Sequence, residues 1–158
     1  MIDKRPILLA TDGSPSAAEA ERVAVQIAQV FDVTLLAVAV AHLAVPALGY
    51  SGYGYSNIIS ELTEAEHHRV EKLLASVTEN AEAAGVRCLT FAEDGLPAEE
   101  IARVAGDRDA QLIVVGSHGW GAARRLLSGS VSTGLVHTAP CPVLVVRGAH
   151  EELAQPVV

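Results

Sequence analysis

Residues 33–40 have the sequence VTLLAVAV, in which both alternating sets of side chains are mostly hydrophobic. A strand with one face in water would alternate apolar and polar residues, so this run predicts a strand covered on both faces. Four further runs of strand length lie elsewhere in the chain, at residues 7–10, 86–92, 112–115 and 143–146. Run 86–92 interleaves Arg87 and Thr90 with apolar residues, which predicts a strand at the edge of the sheet.

Helical patterns separate these runs, and the first two have residues typical of helix ends. Ser14 followed by Pro15 is typical of an N-cap and a first helical position. Thr63 and Glu66 have the spacing of a capping box and predict the start of the second helix. Gly85 then lies where glycine commonly ends a helix.

Two shorter helices complete the alternation. Pro97 begins one that Gly106 closes, and another begins near Ser130 and stops before Pro140. The resulting order βαβαβαβαβ predicts a single α/β domain in which a doubly wound, five-stranded parallel sheet has helices on both faces. In a sheet of this kind with the strand order 3-2-1-4-5, the first and fourth strands are neighbours.

Composition narrows the class of protein. Half of the 158 residues are hydrophobic and 19% are charged, which argues against a disordered chain. Nineteen acidic and eleven basic residues give a net charge of −8, which disfavours nucleic acid and anionic membranes as partners. No apolar run approaches the ~18 residues that span a bilayer, and no signal peptide is recognised, so a cytoplasmic protein is expected. Cys88 and Cys141 are predicted to be buried thiols and not a redox pair.

Residues 45–57 interrupt the regular alternation of strand and helix patterns. They contain Pro46 and three tyrosines, Tyr50, Tyr53 and Tyr55, without a regular period. The segment follows the second strand at the carboxyl end of the predicted sheet, the side on which open α/β sheets bind ligands. It is predicted to be a long loop, and either a lid, a partner-docking loop or an insertion without a function fits the sequence equally well.

A glycine-rich segment connects the fourth strand to the last helix. Gly116 and Gly119 allow the backbone to approach a ligand closely or to adopt positive φ. Gly129 and Ser130 place backbone N–H groups and a hydroxyl at a helix N-terminus, where anions bind. The arrangement favours a phosphate-bearing ligand, although tight turns without a ligand would need the same glycines.

A second polar turn, Thr11-Asp12-Gly13-Ser14, follows the first strand. With the first and fourth strands adjacent, Asp12 is expected to face Gly116 across the crevice at the switch point of the sheet. Its carboxylate can accept hydrogen bonds from a ribose or a base amine. The alternative for Asp12 is a local role, as a helix cap or in an Asx-turn.

These two segments resemble the universal stress protein family in its nucleotide-binding branch. The family's phosphate motif is Gly, two residues, Gly, nine residues, Gly and then Ser or Thr, and Gly116, Gly119, Gly129 and Ser130 fit it without a gap. The first turn and the Pro-Cys-Pro-Val-Leu-Val-Val stretch at residues 140–146 are also similar, so the resemblance covers about residues 4–147. The sequence departs from the commonest pattern at Trp120 and in the 45–57 loop.

The resemblance implies a flavodoxin-like domain, residues 1–148, that binds ATP, with residues 149–158 as a tail. It places Thr11, Asp12 and the backbone around Val40 near the adenosine, and Gly116 near the ribose. The phosphates would be held by Gly119, Gly129, Ser130, Val131 and Ser132. Mg²⁺ would accompany the phosphates without protein side-chain ligands. The family usually dimerises through its last strand, here residues 143–146, an apolar edge that needs cover.

Two further side chains lie in the glycine-rich segment. Arg124 lies in the nine-residue spacer, beside Arg125, and its charge suits the β- and γ-phosphates, although a solvated position on the surface fits equally. His118 can reach a phosphate or the ribose, or simply pack on the loop. Neither position supplies a catalytic group.

The function predicted from these features is that of an ATP-binding, homodimeric stress-response regulator whose state is read by an unidentified protein partner. One alternative is a weak Mg²⁺-dependent ATPase or phosphoryl transferase on the same site. Another is an interaction module that works without nucleotide. The sequence contains neither a dinucleotide fingerprint after the first strand nor a P-loop.

Overall fold

The computed structural model describes residues 4–42, 53–117 and 131–148, and only the backbone at 53–55. Five parallel strands form one sheet in the order β3-β2-β1-β4-β5, as the sequence predicted. The strands are β1 (Ile7–Ala10), β2 (Leu35–Ala41), β3 (Cys88–Asp94), β4 (Leu112–Gly116) and β5 (Val143–Val146). β3 is an edge strand, which confirms the interpretation of its mixed composition.

Helices cover both faces of the sheet. They are α1 (Pro15–Phe31), α2 (Tyr53–Ala83), α3 (Pro97–Asp107) and α4 (Val131–Thr138). α1 and α2 pack on the face that includes Ile7 and Leu9, whereas α3 and α4 pack on the face that includes Leu8 and Ala10. Because successive side chains of β1 point to opposite faces, the strand supplies both cores and is buried throughout. This burial explains the continuous apolar runs of the central strands.

Two strands start two residues later than the sequence predicted, for the same reason. Val33 donates its N–H to the Ala28 carbonyl at 3.0 Å and so completes the end of α1. Val86 likewise donates to the Ala81 carbonyl at 2.9 Å at the end of α2. Each residue uses its backbone to satisfy a terminal helix carbonyl, so the ladder starts only at Leu35 and Cys88.

The predicted start of α2 is wrong. The helix begins at Tyr53, and Thr63 lies inside it with its hydroxyl donating to the Ile59 carbonyl at 2.8 Å. Thr63 therefore bonds back along the helix and does not form a capping box. Part of the predicted 45–57 loop is thus helical, and residues 43–52 lie outside the described residues.

α2 is 31 residues long, and only its second half faces the core. Between positions 56 and 69 no side chain of the helix is buried, and Ile58 and Leu62 are exposed. Burial begins at Val70 and continues at Leu74, Val77 and Ala81. The first half of α2 therefore extends beyond the sheet.

Smaller differences concern α3 and the cysteines. α3 ends at Asp107, so Gly106 is the penultimate helical residue and not the residue that closes the helix. Cys88 and Cys141 are half-buried free thiols and not fully buried ones. They lie at opposite edges of the sheet, in β3 and just before β5, which rules out a disulfide between them. Burial raises the pKa of both thiols.

Candidate functional site

The strand order reverses between β1 and β4. From β1 the chain continues into β2 on one side, and β4 pairs with β1 on the other, with Ala10 opposite Val115. The carboxyl ends of β1 and β4 therefore lie at the same edge of the sheet. In open α/β sheets such a point leaves a crevice at the carboxyl ends of the strands, and ligands bind there.

The turn after β1 is held by its own side chains. Thr11 is buried, donates its N–H to the Val38 carbonyl at 3.0 Å and accepts the Gly13 N–H on its hydroxyl at 3.3 Å. Asp12 is half-buried, and its Oδ1 accepts the Ser14 N–H at 2.9 Å. The local role considered for Asp12 is thus present, and it fixes the direction of the carboxylate at the crevice.

α1 starts directly behind this turn. Ser14 is its N-cap, and the hydroxyl accepts the Ala17 N–H at 3.3 Å, as the sequence predicted. Gly116 at the end of β4 lies against the same first turn: a Cβ there would lie 2.7 Å from the backbone carbon of Ser16 and 2.8 Å from the nitrogen of Ala17. The absence of a side chain at Gly116 therefore allows β4 and α1 to approach each other closely.

Ser117 follows Gly116 and leaves a polar atom without a partner. Its backbone N–H donates to the Val146 carbonyl at 2.8 Å, which ties the end of β4 to β5. Its hydroxyl is buried and has no hydrogen bond within the part of the chain that the structure describes. Buried polar atoms nearly always have a partner, so a bound ligand or water would satisfy this one.

Three further predicted site residues lie in the described part of the chain. Val40 lies near the carboxyl end of β2, half-buried, and packs against the core on the α3 side. Val131 begins α4 and is exposed, whereas Ser132 is buried. His118, Gly119, Arg124, Gly129 and Ser130 lie outside the described residues, as do Trp120 and Arg125.

The sequence did not predict one contact with the turn after β1. Arg69 of α2 donates from Nη1 to the Asp12 backbone carbonyl at 3.1 Å, and its Nε and Nη2 bond both oxygens of Glu66 at 2.8 and 2.7 Å. The hydrogen bond from Arg69 lowers the pKa of the Glu66 carboxyl, against the opposing effect of burial. The i,i+3 spacing of Glu66 and Arg69 was the available signal, but Glu66 was assigned to a capping box instead.

A separate depression of about 180 Å³ lies between α2 and the ends of β2 and β3. Its lining includes Glu71, Glu93 and Asp94, and Asp94 also bonds His67 at 2.7 Å between Oδ1 and Nε2. Three carboxylates disfavour a phosphate there, so the crevice between β1 and β4 remains the better candidate for an anionic ligand.

The described residues contain neither a metal-binding cluster nor a membrane-spanning helix. Across residues 4–42, 53–117 and 131–148, no three His, Cys, Asp or Glu side chains are grouped so that they could hold a metal ion. Within the same ranges no helix is both long and apolar enough to cross a bilayer.

Comparison with known proteins identifies the family. The model of the universal stress protein family matches residues 4–147. A universal stress protein of Methanocaldococcus jannaschii is 36% identical over 148 residues, which cover 94% of this chain and 85% of that protein. The solved structure of universal stress protein UspA from Lactobacillus plantarum is similar with a TM-score of 0.78 and 27% identity, covering 91% of this chain and 98% of its own. A universal stress protein solved in complex with cAMP has a TM-score of 0.64 and 24% identity, with 92% and 98% covered. The chain therefore belongs to the universal stress protein family.

Proposed function

We propose that the protein binds ATP in the crevice between β1 and β4 and acts as a nucleotide-dependent regulator. The observation that carries this proposal is the meeting of the Asp12 turn and Gly116 at one edge of the sheet, at the switch point where ligands bind. Gly116 also begins the spaced glycine–serine motif. The relative solved with cAMP supports an adenine nucleotide as the ligand class.

The described part of the crevice fits a nucleotide. The Asp12 carboxylate, oriented by the Ser14 amide, is an acceptor that suits a ribose hydroxyl or base amine. Ser117 contributes a buried hydroxyl without a partner among the described residues, next to the position proposed for the ribose. A carboxylate and a hydroxyl can form the hydrogen bonds that a nucleoside requires.

The proposed site assigns separate roles along the ligand. Thr11, Asp12 and the backbone at Val40 hold the adenosine, and Gly116 lies at the ribose. The triphosphate is assigned to His118, Gly119, Arg124, Gly129, Ser130, Val131 and Ser132. Mg²⁺, bound through the phosphates, would offset charge in a protein of net charge −8. The proposed binding domain spans residues 1–148.

Calorimetric titration of the purified protein with ATP and Mg²⁺ tests the binding site. We expect saturable binding that Asp12→Ala weakens at least about tenfold, since a hydrogen bond to a charged group is lost. Asp107→Ala is the matched control, because that carboxylate is exposed and bonds Arg103 on α3, away from the crevice. Absence of saturable binding up to millimolar ATP would contradict the proposal, and ADP release measured in the same samples tests the ATPase alternative.

We further propose that β5 pairs two copies of the chain. It is an edge strand whose Leu144 and Val145 remain 37% and 40% exposed, and Val136 of α4 is 63% exposed. An apolar edge strand offers unpaired backbone groups and a hydrophobic surface to a second copy. Light scattering should give a dimer for the natural protein and a monomer for Val145→Lys. The control is Val30→Lys, an exposed apolar residue on α1, which should remain dimeric.

A further inference from the structure

Three helices contain the same pair, a glutamate followed three residues later by an arginine. The pairs are Glu19–Arg22 in α1, Glu66–Arg69 in α2 and Glu100–Arg103 in α3. The other two arginines also donate to side chains only. Arg22 bonds Gln26, and Arg103 bonds Glu93 and Asp107. Among the described residues, Arg69 alone of the three bonds the backbone of a different element.

The geometry of Arg69 fixes its guanidinium in one place. Two donors, Nε and Nη2, bond both oxygens of Glu66, and the third, Nη1, points at the Asp12 carbonyl. A planar guanidinium bound in this bidentate way keeps one orientation, which a lysine ammonium in the same position would not. The Asp12 peptide therefore bonds a donor whose position is set by α2.

The same part of α2 reaches the ends of two strands. His67 and Val70 line the depression at the end of β2, together with Ala41. One turn further along α2, Leu73 packs against the turn after β1, since a Cβ on Gly13 would lie 3.5 Å from its Cδ1. This part of α2 therefore contacts the turn after β1 and lies beside the end of β2.

Those two strand ends are the ones assigned to the adenosine. Asp12 has its carbonyl held by Arg69 and its carboxylate held by the Ser14 amide, so both ends of the residue are fixed. We propose that Arg69, anchored by Glu66, is a positioning residue that aims the Asp12 carboxylate at the adenosine of the bound nucleotide. This inference rests on the proposed ATP site and adds to it a residue outside the family's motif segments quoted above.

The first test compares ATP affinity, by calorimetry with Mg²⁺, in Arg69→Met and Arg22→Met. Both changes remove an exposed arginine paired with a glutamate three residues earlier, but only the first removes a bond to the Asp12 turn. We expect Arg69→Met to raise the Kd about tenfold and Arg22→Met to change it less than about twofold. Glu66→Gln, which keeps Arg69 but weakens its anchor, should give an intermediate increase.

The second test separates positioning from general support of the fold. In an Asp12→Asn background, Arg69→Met should weaken ATP binding by less than about twofold, because the group it aims is already altered. An equal loss in both backgrounds would overturn the proposal. In the nucleotide-free protein, the Ser14 amide should exchange its hydrogen faster in Arg69→Met than in Arg22→Met, and unchanged exchange would also overturn it.

The outcomes distinguish this inference from the proposed function. If the natural protein binds ATP and Arg69→Met binds it equally well, the positioning role is wrong and the ATP site stands. If the natural protein does not bind ATP, both fail, whatever the exchange of the Ser14 amide.

Discussion

The carboxyl ends of β1 and β4 lie side by side, yet their loops are held in different ways. After β1, hydrogen bonds fix the turn: Thr11 and Asp12 accept neighbouring amides, and Arg69 holds the Asp12 carbonyl. After β4, Gly116 packs against the backbone of α1, and the Ser117 hydroxyl is buried with no partner within the described part of the chain. The β1 side is therefore ordered mainly by hydrogen bonds to side chains, and the β4 side by close packing and a backbone hydrogen bond to β5. Substitutions on the two sides should accordingly differ in size and cause.

The largest effect is expected at Gly116. A methyl group there would overlap backbone atoms of α1, which cannot move aside as a flexible side chain can. We expect Gly116→Ala to lower the free energy of unfolding by about 3 kcal/mol, measured by urea denaturation. Gly106→Ala is the control, because a Cβ there meets nothing closer than 3.9 Å and the residue is helical, so no loss is expected. Equal stability of the two variants would show that packing does not order the β4 side.

Replacing Gly13 on the β1 side should lower the free energy of unfolding by less than replacing Gly116, and for a different reason. Its φ is +78°, but a Cβ there would make only ordinary contact with Leu73. Gly13→Ala should therefore lose about 1–2 kcal/mol from backbone conformation alone. Gly13→Asn should recover part of that loss in the same denaturation experiment, since asparagine tolerates left-handed backbone better. A loss for Gly13→Asn larger than that for alanine would contradict this account.

Two serines with buried hydroxyls, one on each side, extend the comparison. The Ser14 hydroxyl caps α1, so Ser14→Ala should lower the free energy of unfolding by about 1 kcal/mol. The Ser117 hydroxyl bonds no described residue, so Ser117→Ala should leave stability unchanged or raise it in the absence of nucleotide. Thermal unfolding of both variants, with and without ATP, measures this. If Ser117→Ala lowers stability more than Ser14→Ala does without nucleotide, the Ser117 hydroxyl must have a stabilising partner in the free protein.

The smallest effect is the pH dependence of the Glu66–Arg69 pair. Because the folded pKa of Glu66 is lowered, chiefly by Arg69, the pair stabilises the fold above the carboxyl's ordinary pKa and stops doing so as pH falls through the folded value. The stability difference between the natural protein and Glu66→Gln should be under about 1 kcal/mol at neutral pH and constant down to about pH 5. It should vanish in stronger acid, and a difference that grows on acidification would have the wrong sign.

The sequence was sufficient for the parts of the fold that follow from local periodicity. Continuous apolar runs and helix caps such as Ser14 predicted the five strands, their alternation with helices and most of the helices, because burial on two faces leaves a direct trace in composition. Predictions failed where a residue had two uses: Val33 and Val86 are apolar like strand residues but complete helix ends. The predicted start of α2 was wrong for a similar reason, since Thr63 and Glu66 fit a helix cap and a helix interior equally well.

The candidate site was predictable on the side that lies in one short segment. The turn after β1 combines its cap, its glycine and its carboxylate within four consecutive residues. Arg69 lies 57 positions away from Asp12, and nothing in local spacing specifies which distant carbonyl an exposed arginine reaches. Contacts of this kind depend on how α2 crosses the sheet, which only the folded structure supplies.

The two halves of α2 differ in side-chain burial and should therefore unfold locally at different rates. Helical backbone without fully buried side chains relies mainly on local hydrogen bonds, whereas backbone packed on a core opens only with larger parts of the fold. Protection factors should therefore rise along α2, from low values before Glu66 to values near global unfolding beyond Val70. A protease would accordingly cut the exposed turns around Ile58 and Leu62 long before it cleaved the segment around Val77.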